Sequence, residues 1–203
     1  MTKITSKEHL RDVYPPALGR SVDKQMTCLD VHCRKFISLS PFVILATKGA
    51  DNLGDATPRG GEPGFVHAES DGAVLIPDWP GNNRLDTLEN IIEDPGIGLL
   101  FLIPGVKETL RINGTADIVI DDATRHLFET RGKHPRSVIR IHINEVYLHC
   151  AKALMRSHLW EDTARIDRGE LPTMGQMIND QTQTSNAPEG QMEMENRYEE
   201  VLY

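Results

Sequence analysis

Arg84 is the residue whose surroundings point most directly to chemistry. It ends the run Pro80-Gly81-Asn82-Asn83-Arg84, dense in turn formers, which leads straight into a helical pattern. Asn82 or Asn83 is placed to cap that helix. Free backbone N–H groups, the positive end of a helix dipole and a guanidinium together make a seat for a phosphate or carboxylate. The bland alternative is an exposed arginine paired with Asp86 or Glu89 of the first turn. Asp86 suits the dipole and would compete with a bound dianion. Arg59 lies between Pro58 and Gly60-Gly61, where backbone without side chains admits a ligand closely; the alternative there is a surface hairpin arginine. Lys152 and Arg156 are four apart and share a face if the segment is helical, with Trp160 extending it. That face serves either a planar or acidic ligand or the docking of an amphipathic helix.

Histidine and cysteine do not assemble into a second chemistry. Asp30, His32 and Cys33 are close, yet no further ligand pair has zinc spacing, and Cys33 falls on an apolar helix face. His149 and Cys150 are neighbours on a strand, so their side chains leave on opposite faces and cannot form a nucleophile–base pair. There is no GxSxG, no P-loop and no GxGxxG. No residue is singled out as a catalytic acid, base or nucleophile, and no metal ligand is assigned.

Composition narrows the partner. Over 203 residues, Asp and Glu number 30 against 22 Lys and Arg, for a net charge of −8. No basic block offsets it, which argues against a nucleic-acid or anionic-membrane binder. An anion site in this chain must be a local pocket of a few arginines and amides. Three cysteines without framework spacing read as reduced thiols of a cytoplasmic protein. The N-terminus has no apolar signal core, and no apolar run reaches membrane length.

The elements that must position these residues are mainly strands. Residues 5–13 (capped by Thr5 or Ser6) and 29–38 read as helices, the second burying Leu29, Cys33, Phe36 and Ile37. Strands are expected at 42–47, 54–59, 65–69 and 73–76. A helix at 85–93 carries Leu85, Leu88, Ile91 and Ile92 on one face, and Asp94-Pro95-Gly96 ends it. Residues 98–103 are too apolar for a one-sided strand and belong in the centre of a sheet. The strand at 109–120 has Gly114 in its middle, the mark of a bulge or barrel bend. A helix runs from Asp121-Asp122 to about Thr130. The strand at 137–150 alternates, with Ile139, Ile141 and Ile143 on one side. Helices follow at 151–160, 173–180 and 191–203, the last with Met194, Tyr198, Val201 and Leu202 on its apolar side. The pattern reads as one domain over 1–203: helices to residue 39, an antiparallel barrel over 40–150 and a helical extension over 151–203.

Four blocks resemble the pyridoxamine 5′-phosphate oxidase-related flavoproteins. They are Ser40–Val66 with its PRGG, Val74–Gly105 with its PGNNR, Thr109–Ile118, and the HCAKALMRSHLW run of His149–Trp160. The resemblance implies an α+β, mainly β fold: a six-stranded antiparallel split β-barrel of Greek-key type with peripheral helices. It implies a homodimer with FMN at the subunit interface, and hydride transfer between FMN and a small organic substrate or NAD(P)H. Arg84 would bind the FMN phosphate and Arg59 would be a second cationic contact. Pro77, Asp78, Asn82 and Asn83 would line the ribityl and phosphate region. Thr109 would reach the flavin of the other subunit. Lys152, Arg156 and Trp160 would stand near the cofactor or substrate mouth, from their own or the other subunit. The chain lacks the terminal tryptophan- and arginine-bearing strand with which true pyridoxamine-phosphate oxidases hold substrate phosphate, so that substrate is not carried over. Rivals of the same fold are an F420 enzyme, a haem protein using His67, His142 or His149, and a non-catalytic flavin sensor or store.

Overall fold

A computed structural model describes residues 2–202. Three helices open the chain: α1 (Lys7–Val13), α2 (Arg20–Asp23) and α3 (Val31–Leu39). Ser6 caps α1 by accepting from the His9 N–H at 3.1 Å. Asp30 caps α3 by accepting from the Cys33 N–H at 2.7 Å. Leu29, Cys33 and Ile37 are buried, though Leu29 lies just before α3 rather than in it. The turn of helix α2 carries no sequence signal that marks it.

Seven strands follow: β1 (Phe42–Lys48), β2 (Gly54–Gly60), β3 (His67–Ser70), β4 (Ala73–Asp78), β5 (Gly96–Leu102), β6 (Thr109–Val119) and β7 (Ser137–His149). They form one antiparallel sheet in the order β2-β1-β5-β6-β7-β4-β3. The split-barrel expectation is met with one strand more than six. The short edge strand β3 pairs only with β4, and its register slips between Ala68 and Ser70. Pro58 explains the opposite edge: a residue without an N–H is tolerated in β2 because only β1 pairs with it.

The core is the inside of this curled sheet. Ala73, Val74, Leu75 and Ile76 of β4 are all buried, as a strand covered on both faces requires. Ile97, Leu99 and Phe101 of β5, Leu110 and Ile112 of β6, and Ile139 and Ile141 of β7 complete it. Burying each large side chain contributes about 1.5–3 kcal/mol. β5 is central, between β1 and β6, as its apolar run demands. Gly114 marks the predicted bend: the β6–β7 register shifts between Asn113 and Gly114. A Cβ at Gly114 would strike the His142 carbonyl oxygen.

Helix α4 (Asp86–Glu93) packs on β1, β2 and β6. Its buried face differs from the expected one. Thr87 and Ile91 are buried with Leu88 beside them, whereas Leu85 is 45% and Ile92 77% exposed. The helix is turned so that Thr87, Ile91 and Asn90 face the sheet, Asn90 donating to Thr47 Oγ1 at 3.0 Å. The helix after Asp121 is shorter than expected: α5 (Asp122–His126) stops well before Thr130. The extension holds α6 (Lys152–Ser157), α7 (Met174–Thr182) and α8 (Gln191–Val201), with single 3-10 turns at Asp162–Ala164 and Arg168–Glu170. α6 is also shorter than the expected 151–160, because the chain reverses at His158, which adopts a left-handed conformation (φ 54°). α8 stops short of the expected residue 203, because Leu202 turns to an extended conformation (φ −63°, ψ 139°); the expectation for the Val201 side chain falls outside what is described.

Candidate functional site

The end of β4, the turn after it, the first turn of α4, the edge strand β2 and the start of β7 enclose a cavity of about 680 Å³. Antiparallel pairing builds it. Asp78 is opposite Ser137, so the end of β4 and the residue before β7 meet at one end of the barrel. The Arg136 N–H donates to the Asp78 carbonyl at 3.1 Å. On the other side of the cavity Arg59, near the end of β2, points across the gap to Asp78.

Arg59 Nη2 lies 3.4 Å from Asp78 Oδ1, and Arg59 Nη1 donates to Thr57 Oγ1 and to the Pro58 carbonyl, each at 3.0 Å. Both partners of the ion pair are largely covered. Burial raises the Asp78 carboxyl above its ordinary 3.8, and the Arg59 charge only partly offsets that rise.

The turn is set by asparagines, but neither caps α4. The Asn82 side chain accepts from the Arg84 N–H at 3.0 Å, and Asn83 takes the left-handed conformation (φ 59°). The residue preceding α4 is Leu85, which offers no side-chain cap. The N–H groups of the first turn of α4 therefore remain available at the cavity wall, where Asp86, Thr87 and Leu88 line it. Arg84 is 77% exposed, and its Nε donates to Asp86 Oδ2 at 2.6 Å, a contact that raises its pKa. In this conformation Arg84 makes the pairing that the sequence offered as the bland alternative.

Of the residues singled out from sequence, Arg59, Pro77, Asp78, Asn82, Asn83 and Arg84 all line this one cavity. Thr109, Lys152, Arg156 and Trp160 do not. Thr109 opens β6 opposite His149, at the other end of β7 from Ser137. The 13 residues of β7 span about 40 Å at roughly 3.3 Å per residue. Lys152 and Arg156 are exposed on α6. Trp160 lies past the reversal at His158 and so does not extend their face; its Nε1 donates to the Val106 carbonyl at 2.8 Å. Lys107 and Glu161 pair beside it at 3.2 Å.

Arg136 is the site residue that sequence reasoning missed. It lines the cavity, and no hydrogen bond or ion pair engages its side chain among the described residues. Its signal was topological: once the 73–78 and 137–149 strands pair antiparallel, the residue before Ser137 must stand beside Asp78. Three guanidiniums (Arg59, Arg84, Arg136) thus face three carboxylates (Asp55, Asp78, Asp86). Two of the carboxylates are held by arginines.

The histidines weighed as haem ligands are scattered. His67 packs on Phe128 with ring centroids 5.0 Å apart, His142 Nε2 is 2.8 Å from Asp117 Oδ2, and His149 lies beside Tyr147. Among the described residues no group of three or more His, Cys, Asp or Glu could hold a metal ion. Among them, too, no helix is long and apolar enough to cross a membrane.

The family model for pyridoxamine 5′-phosphate oxidase matches residues 29–150. No curated protein matches the chain significantly. Among solved structures, HupZ from Group A Streptococcus is 18% identical, over 59% of this chain and 93% of its own, with a TM-score of 0.49. A protein related to general stress protein 26, from Clostridium acetobutylicum, is 12% identical over 59% of this chain and 86% of its own, at 0.44. An F420 reductase is 14% identical over 57% and 94%, at 0.42. The family model spans more than half of the chain, from two residues before α3 to one residue past β7, and on that match the chain belongs to the pyridoxamine 5′-phosphate oxidase family.

Proposed function

We propose that the protein is an FMN-dependent oxidoreductase that works as a homodimer, with the FMN phosphate held in the cavity at the start of α4. The observation that carries this reading is the convergence of an uncapped helix start with Arg84, Arg59 and Arg136 on one cavity. Backbone N–H groups at a helix start and guanidiniums are the donors a phosphate ester requires. The fit has a condition. Arg84 must share or exchange Asp86 for the phosphate, and Arg59 must do the same with Asp78. Burial disfavours the charged form of Asp78 and so weakens its hold on Arg59.

When bound, FMN supplies reversible hydride acceptance at its ring. The chain's own residues bind and orient. Asn82 fixes the turn that aims Arg84, Asn83 bends the backbone into the cavity, and Pro77 and Trp79 form its apolar wall. The partner in the reaction is a small organic substrate or NAD(P)H.

The distance between the two sets of residues that the family resemblance assigns to the cofactor supports a dimer. One chain cannot bring Thr109, Lys152, Arg156 and Trp160 to a ligand seated at Arg84, because β7 separates them. A twofold-related second copy can lay that end of its barrel over the cavity. Exposed Ile92 on α4 and Met155 on α6 are apolar positions such an interface would cover. The three free cysteines suit the reducing cytoplasm, where we place the protein.

The test is the absorbance spectrum of the purified protein, followed by anaerobic addition of NADH or NADPH. Flavin bands that bleach and return in air support the reading. A Soret band, or a protein that stays colourless after incubation with FMN, contradicts it.

A further inference from the structure

Behind Pro77 and Trp79 lies a second cavity of about 520 Å³, which shares those two residues with the first. Its chemistry is the opposite of its neighbour's. The Gly60–Phe65 loop forms one side. Gly61 belongs there because a Cβ would come within 2.8 Å of the Phe65 Cβ, so the bare backbone lies directly on the Phe65 side chain. Phe65 packs in turn against the core. The turn after α5 forms the other side, with Phe128 resting on the His67 ring. Phe65, Trp79 and Phe128 thus line one volume.

The charged residues of this cavity are Glu62 and Glu129, and no lysine or arginine lines it. Neither carboxylate has a side-chain hydrogen bond or ion pair among the described residues. In the first cavity, by contrast, Asp78 and Asp86 are both held by arginines. Aromatic faces attract cations through the negative ring quadrupole, and carboxylates at the rim add to that attraction while repelling anions. The volume falls in the range of small-molecule sites.

We propose that this second cavity is a binding site for a planar organic cation, seated among Phe65, Trp79 and Phe128 with its charge toward Glu62 and Glu129. The inference goes beyond the FMN reading and does not rest on it, since none of the arginines of the first cavity takes part.

Three probes of one shape and different charge test it: 1-methylnicotinamide (cation), nicotinamide (neutral) and nicotinate (anion). Each is titrated calorimetrically into the full-length protein, with and without added FMN. The cation should bind about fivefold tighter than nicotinamide or better, and nicotinate should not bind. The exposed pair Glu62→Gln and Glu129→Gln should erase the preference for the cation and keep the affinity for nicotinamide, whereas Phe128→Ala should weaken both. Nicotinate binding as well as the cation, a preference that survives in the double glutamine variant, or no binding by any probe would overturn the proposal. A protein that fails to take up FMN but still selects the cation leaves this proposal standing and removes only the flavin assignment.

Discussion

Arg59 and Asp78 join the two flanks of the sheet. Arg59 is on β2, at one edge of the seven-stranded order, and Asp78 ends β4, next to the other edge, yet their side chains meet at 3.4 Å. No backbone ladder closes the barrel between these strands. The ion pair stands at the split itself, and the proposed phosphate seat opens beside it. A contact that bridges the seam and must also yield to a ligand ties the stability of the empty protein to occupancy of the site.

That pair gives a pH dependence with a definite sign. Burial raises the Asp78 carboxyl in the folded protein above its ordinary 3.8. Between 3.8 and the raised value the folded state therefore binds more protons than the unfolded chain. Stability from this group is greatest below 3.8 and is lost as pH rises through the raised value. Denaturant unfolding at a series of pH values between 3.5 and 7 (about those limits, set by the ordinary carboxylate range) should show Asp78→Asn gaining on the native protein as pH rises. A constant difference between the two would contradict the burial argument.

Cys33 makes a second, independent pH prediction. Burial pushes its thiol from 9.0 up to about 11, and the neighbouring Asp30 carboxylate adds to the rise. Above pH 9.0 the unfolded chain gives up this proton while the folded chain keeps it, so stability should fall from there to about 11. Near pH 8 a thiol reagent should modify exposed Cys28 and Cys150 quickly and reach Cys33 only on unfolding. Mass mapping of the modified peptides decides this, and prompt labelling of Cys33 in the folded protein would count against the packing described for α3.

The bend at Gly114 should not tolerate a side chain. A Cβ there meets the backbone of β7 rather than the end of a flexible side chain. Gly114→Ala is expected to destabilise the protein by more than about 2 kcal/mol. Thermal unfolding of the variant measures it, and an unchanged midpoint would mean that β6 and β7 are not bulged at this position.

This bend shows what could be read in the amino-acid sequence. Glycine in the middle of a long alternating strand has few explanations, and the unbroken apolar run of β4 has one, burial on both faces; β5 is interior to the sheet, but its burial alternates between buried and half-buried residues. The first half of the site was legible for the same reason, since Pro77 to Arg84 is contiguous and its turn chemistry is local. What was missed depends on tertiary placement. The helix cap did not go to an asparagine because Asn82 is used by the Arg84 N–H and Asn83 is left-handed. Helical periodicity puts Leu85 and Ile92 on the same face of α4 as Leu88 and Ile91, but the helix is rotated to seat Thr87 and Asn90. His158 ends α6 in a left-handed conformation that most non-glycine residues avoid, which removes Trp160 from the face of Lys152 and Arg156. Arg136 became visible only through strand pairing.

Arg136 should therefore matter to anion binding despite its plain sequence context. It is the guanidinium in the cavity not already engaged by a carboxylate. Arg136→Gln is expected to weaken FMN binding by about 1 kcal/mol and to make it less sensitive to salt. Fluorescence titration at two ionic strengths would detect both changes, and an unaltered salt dependence would take Arg136 out of the site.

The central claim is that the turn before α4 seats the FMN phosphate through Arg84. Its most direct test is the FMN dissociation constant of Arg84→Ala beside that of the native protein, read from quenching of flavin fluorescence. The account predicts a loss of about 1.5–3 kcal/mol, the range for hydrogen bonds to a charged group, or roughly ten- to hundredfold weaker binding. An unchanged dissociation constant would mean that Arg84 does no more than pair with Asp86.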